Sequence, residues 1–103
     1  MSRYALAPEA RQDLADIRDG LSREASAKVM RRVMVQLVVA FRKIATTPGI
    51  GHVRLDVLDD ERVLFWPAGD YSIVYRKHRR IIWVLAIVHS ARDLHRVLTQ
   101  RLV

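Results

Sequence analysis

The chain has 103 residues, half of them hydrophobic, only three prolines, no cysteine and a formal charge of +7. One folded domain spanning 1–103 fits that length, while disulfides, thiolate catalysis and cysteine-based zinc sites are excluded. The longest apolar run, Ile81 to Val88, is far too short to cross a bilayer, and residues 1–8 lack the apolar core of a secretory signal, so a soluble cytoplasmic protein is expected.

Residues 3–7 alternate weakly and stop at Pro8, which predicts a short strand. Pro8 suits the first turn of a helix, and Glu9 suits its positive end. Ala10, Leu14, Ile17 and Leu21 then fall within about 60° on an ideal helix, with Arg11, Gln12, Asp13, Asp16 and Asp19 expected away from that stripe and Gly20 loosening the end. A second helix is predicted over 26–46. Its apolar seam is Met30, Met34, Leu37, Phe41 and Ile44, and its polar face carries Lys28, Arg31, Arg32, Gln36, Arg42 and Lys43. Val35 and Val39 stand on that polar face, one turn apart. Either a neighbouring element covers them or they form an adhesive stripe for a partner chain.

Thr47-Pro48-Gly49 ends the helix, and residues 53–61 read as an exposed acidic connection. Arg62 to Trp66 is a short apolar run stopped by Pro67, and 68–70 reads as a turn. Tyr71, Ile73 and Tyr75 alternate with Ser72, Val74 and Arg76, the period of a strand. Lys77, His78, Arg79 and Arg80 form a basic hairpin tip. Ile81 to Val88 is apolar on both faces and belongs in the middle of a sheet. A last helix is predicted over 91–102, with Leu94, Val97, Leu98 and Leu102 on one side. Trp66 and Trp83 lie within strands and are expected in the core. The order β-α-α-β-β-β-α gives an α+β fold, with a helical hairpin packed on one face of an antiparallel sheet.

Charge is concentrated at the end. From Arg76 onward seven basic residues face a single acid, Asp93, so that segment holds +6 of the +7. Such an end points to nucleic acid, a ribosome or an acidic protein partner, or else to a merely solvated surface. His52, His78, His89 and His95 are scattered, so no metal site is expected, and the glycines at 49 and 51 do not open a helix as a phosphate loop would.

Four stretches together resemble the ParE branch of the RelE/ParE toxin superfamily. They are Tyr4-x-Leu6-x-Pro8-Glu9-Ala10-x-x-Asp13-Leu14-x-x-Ile17, Pro48-Gly49-Ile50-Gly51, Phe65-x-x-Ala68-Gly69-x-Tyr71-x-Ile73-x-Tyr75-Arg76, and Val88-His89-x-Ala91-Arg92-Asp93. Ser90 departs from the family's usual glycine there, and serine can cap a helix. The resemblance implies a bacterial toxin held inactive, in a hetero-oligomer, by a ParD-like antitoxin with an acidic tail. It also implies DNA gyrase as the target for the ParE branch, whereas the RelE branch cuts messenger RNA on the ribosome.

Under that resemblance, target contact is expected from Lys77, Arg79, Arg80, Arg92, Arg96 and Arg101. Antitoxin contact is expected from Arg31, Arg32, Val35 and Val39, without a cofactor and without sequence-specific nucleic-acid binding by the toxin alone. The alternative is an endoribonuclease using His89 as acid or base with arginines around the phosphate. Against it, no tyrosine follows Tyr75 and no lysine follows Lys77, residue types that RNA-cleaving relatives use. A third reading is an inactive toxin fold acting in an autoregulatory complex. For His89, Arg92 and Asp93 the sequence favours a structural role, a turn and helix cap after a buried strand, over an active site.

Overall fold

A computed structural model describes residues 3–102, with the side chain of Leu102 outside the described residues, so its expected place on the last apolar stripe lies outside them too. The elements are β1 (Arg3–Leu6), α1 (Pro8–Glu24), α2 (Ala27–Thr46), a 3-10 turn (Pro48–Ile50), β2 (Val63–Ala68), β3 (Tyr71–His78), β4 (Ile81–His89) and α3 (Leu94–Leu102). The α+β order read from the sequence is the order observed.

The four strands form one sheet in the order β1-β4-β3-β2. β2, β3 and β4 are an antiparallel meander, and β1 joins β4 in parallel. The path from β1 to β2 therefore crosses the sheet from edge to edge, and the two helices of that crossover lie on one face. α1 sits over β4, and α2 reaches both β1 and β2. Ala10, Leu37, Phe41 and Ile44 are buried there against Ile73, Tyr75, Ile82, Val84 and Ile87. β4 lies between two neighbours and is buried on both sides, which is why it reads as a continuous apolar run.

The opposite face is covered as well. Val97 and Leu98 of α3 close over Val63, Phe65, Val74, Ala86 and Val88. Val57 joins them and Leu58 packs alongside. The segment 53–61 is thus not simply an exposed connection: its two central apolar residues help seal the second face.

Local chemistry sets several boundaries. Ser26 caps α2, its hydroxyl accepting the Val29 N–H at 3.2 Å. α1 runs to Glu24, past Gly20. β2 continues through Pro67 to Ala68, contrary to the expected stop. The reason is its edge position: Phe65 turns its N–H and carbonyl outward to His52, both at 2.9 Å, and Pro67, two residues on, turns its missing N–H the same way. In β4 the register slips, with Val74 opposite Ala86 but Tyr75 opposite Val84. Leu85 is the extra residue of a bulge, and Leu85 and Ala86 both pack on the second face.

Candidate functional site

On α2 the buried residues Leu37, Phe41 and Ile44 fix which side faces the sheet. Val35 precedes Leu37 by two residues, about 160° round the axis, so it must face away. It is 61% exposed and Val39 56%. With Met34, Val38 and Arg42 they line a shallow apolar groove of about 280 Å³. Arg31 and Arg32 are exposed about one turn toward the N-terminus of the helix. Among the described residues no neighbouring element covers these valines, so of the two readings the sequence left open the uncovered one describes their position.

The basic residues expected to form one surface fall into separate places. Lys77, His78, Arg79 and Arg80 are exposed at the β3–β4 tip, with Arg79 in the left-handed region at φ 59°. Arg92 follows the far end of β4, about 25 Å away along an extended strand of this length. The tip and the Arg92 region are two patches. Among the described residues, ion pairs form at Arg18–Asp19, Arg54–Asp56, Arg62–Asp60 and Arg101–Asp13, and none involves Lys77, Arg79, Arg80, Arg92 or Arg96. The Arg62 and Arg54 guanidinium groups hold the Asp60 and Asp56 carboxyls below the usual range.

Arg101, expected in target contact, is paired within the chain. Both of its terminal nitrogens donate to Asp13, at 2.7 and 2.6 Å. Asp13 in turn is 8% exposed, not turned to solvent as its helix position suggested. On the helical wheel Asp13 lies only about 40° from Ile17, at the border of the apolar stripe, which was the available signal.

At the β4–α3 junction the backbone is tightly tied. The Ser90 N–H donates to the Asp70 carbonyl at 2.8 Å and the Arg92 N–H to the His89 carbonyl at 3.0 Å. Asp93, not Ser90, caps α3, its carboxylate accepting the Arg96 N–H at 3.1 Å. The helix therefore starts at Leu94, three residues later than expected. The His89 Nδ1 accepts the Ala91 N–H at 3.0 Å, a structural bond of the kind anticipated, and the Tyr71 ring meets His89 edge-on at 5.2 Å. Burial, aided by the charge of Asp70, pushes the Tyr71 phenol upward. A cavity of about 350 Å³ opens here, and His95 lines it together with His89 and Arg92. Spacing alone carries little weight for His95, because the loop that meets it lies far away in the chain.

Neither tryptophan is fully buried. Trp66 borders the first core with His52 stacked on it at 6.2 Å and the Lys43 ammonium 5.4 Å from its ring centroid. Among the described residues no three His, Cys, Asp or Glu side chains are grouped to hold a metal, and no helix is long and apolar enough to cross a membrane.

No curated protein matches this chain. A solved structure described as the chromosomal ParDE TA system from P. aeruginosa has the same fold, with a TM-score of 0.71 at 16% sequence identity, covering 86% of this chain and 96% of that chain. The model of the family described as the ParE toxin of type II toxin–antitoxin systems, parDE, matches residues 4–94, a span that ends at the first residue of α3 and leaves Arg96 and Arg101 outside it. The chain belongs to the ParE toxin family.

Proposed function

We propose that this chain is a toxin silenced by a ParD-like antitoxin, and that it acts in the cytoplasm by blocking DNA gyrase through protein–protein contact. The observation that carries the antitoxin half is the uncovered Val35–Val38–Val39 stripe on α2. An apolar groove beside Arg31, Arg32 and Arg42 complements an amphipathic segment with apolar residues along one side and acids along the other. The solved ParDE system of the same fold supports a partner of that kind. For target contact the reading takes the exposed, unpaired cations Lys77, Arg79, Arg80, Arg92 and Arg96, in two patches. Arg101 stabilises the fold and is left out of that surface.

The test is direct. The purified chain is added to gyrase with relaxed plasmid and, separately, to ribosomes translating a message. The expected outcome is loss of supercoiling, restored by an equimolar antitoxin encoded beside it, with intact RNA. Severed RNA would replace this reading by an endoribonuclease, and unimpaired growth on strong expression would replace it by a purely autoregulatory role.

A further inference from the structure

The cavity at the β4–α3 junction shares only Arg92 with the target surface proposed above, and its walls are chemically specific. Arg54 comes from the loop after α2, Ser72 from β3, His89 and Ser90 from the end of β4, Arg92 from the following turn and His95 from α3. The acid on the wall, Asp93, is already engaged as the cap of α3.

The two imidazoles carry their protons on opposite nitrogens. A backbone N–H can only donate, so His89 Nδ1, which receives the Ala91 N–H, is bare and the ring proton sits on Nε2. A carbonyl can only accept, so His95 Nδ1, 2.6 Å from the Val57 oxygen, holds its proton. Its Nε2 is left to accept. His89 thus offers a fixed donor, His95 an acceptor for the hydroxyl of a protonated phosphate, and Arg92 a forked guanidinium with no carboxylate partner among the described residues.

We infer that this cavity is a phosphate-binding site, for the phosphate of a nucleotide or of a nucleic-acid backbone. A tetrahedral oxyanion accepts hydrogen bonds in several directions at once, which suits donors arriving from three separate segments, Ser72 of β3, His89 at the end of β4 and Arg92 in the turn, with the Arg54 guanidinium, paired to Asp56, beside them. A planar carboxylate would leave part of that set unmatched. Direction follows from the neighbouring hollows. One, sharing His89 and Arg92, adds the carboxylates of Asp16 and of Asp13, the latter already paired with Arg101, and offers an anion no further cation. Another, sharing Arg92 and Asp93, adds Arg96 and Gln100, so a second phosphate along a backbone has a cation to meet on the α3 side.

The test is a nuclear magnetic resonance titration of the purified full chain with inorganic phosphate, pyrophosphate, uridine monophosphate and a short oligothymidylate. Citrate and a glutamate-rich peptide at matched ionic strength serve as comparators. Saturable shifts are expected at the His89 and His95 ring signals and at the Arg92 side chain. Arg92→Gln and His89→Gln should each weaken uridine monophosphate by about tenfold, the loss of one charge-assisted hydrogen bond. Arg79→Gln, at the distant tip, should leave it unchanged. Arg92 is exposed, so its variant keeps the test valid even if His89→Gln loosens the turn. A tighter oligothymidylate identifies a backbone as the source, and equal affinity identifies a free nucleotide. Absence of saturable shifts, an equal loss in Arg79→Gln, or a glutamate-rich peptide that binds as tightly would overturn the assignment. The experiment needs neither gyrase nor antitoxin, so its failure leaves the proposed function standing.

Discussion

Asp13 and Arg101, 88 residues apart in sequence, form a two-pronged ion pair that closes the open edge of β4. β1 ends at Leu6, and its last bond to β4 runs from the Ala7 N–H to the Val84 carbonyl. Beyond that point the Ile87 N–H has no strand to meet, and Asp13 Oδ2 accepts it at 3.0 Å. Arg101 arrives from the layer on the opposite face and neutralises the carboxylate. One acid thereby joins α1, β4 and α3. Removing Asp13 strands an arginine and an edge N–H together.

Asp13→Ala should therefore destabilise the fold by about 3 kcal/mol, in the range for breaking a shielded pair. Arg101→Met should cost less, about 1–2 kcal/mol, because its side chain is 23% exposed and water compensates in part. Urea midpoints of both single variants and the double variant check this. Strict additivity would show that the two side chains act independently.

Val35→Asp should leave the urea midpoint within about 0.5 kcal/mol, since an exposed helix position has no packing to lose. The same variant should weaken antitoxin binding by about tenfold or more, measured by calorimetry. A collapse of the fold would place the valine in the core instead.

Arg92→Glu combined with Arg96→Glu should abolish growth inhibition while antitoxin affinity stays within about threefold, because charge reversal away from α2 alters a different surface. Colony counts on induction and a pull-down with the antitoxin read the two effects. Persisting toxicity would remove this patch from the target interface.

Arg79→Gly should stabilise the chain by about 1 kcal/mol. The left-handed backbone at φ 59° disfavours any side chain with a Cβ, and glycine adopts it freely. Thermal unfolding reads the gain, and a fall in Tm would mean that the arginine side chain contributes more than the strain it imposes.

Tyr75 sets the alkaline limit. Its buried hydroxyl donates to the Pro48 carbonyl at 2.7 Å and accepts the Gly51 N–H at 2.9 Å, holding the turn after α2 against β3. Burial raises its pKa, opposed by the Gly51 bond. The unfolded chain releases that proton first, so its contribution is complete below the ordinary tyrosine value of about 10 and is lost as pH rises past it. Tyr75→Phe should cost about 1–2 kcal/mol at neutral pH and flatten the loss above pH of about 10, with a residual slope from Tyr71. Gly51→Ala is expected to be worse tolerated than a surface change, because its Cβ would sit 2.6 Å from the Tyr75 hydroxyl. Urea unfolding across pH measures all three.

The elements and their order are legible in the chain alone. Helical spacing in α1 and α2, alternation in β3 and the two-sided apolar run of β4 are local periodicities, and each marks the side of an element that must be buried. The same periodicity placed Val35 and Val39 away from the core before any neighbour was known. What meets what is set by the folded arrangement. The parallel docking of β1, the Leu85 bulge and the sealing of the second face by Val57 depend on contacts between distant segments, which leave no period in the chain. Charge is the plainest case. A residue's sign can be read anywhere, but whether it is free or paired depends on what folding brings within reach. That is why Arg101 joined Asp13, why the basic end divided into two patches, and why His89 and His95 came to share one cavity.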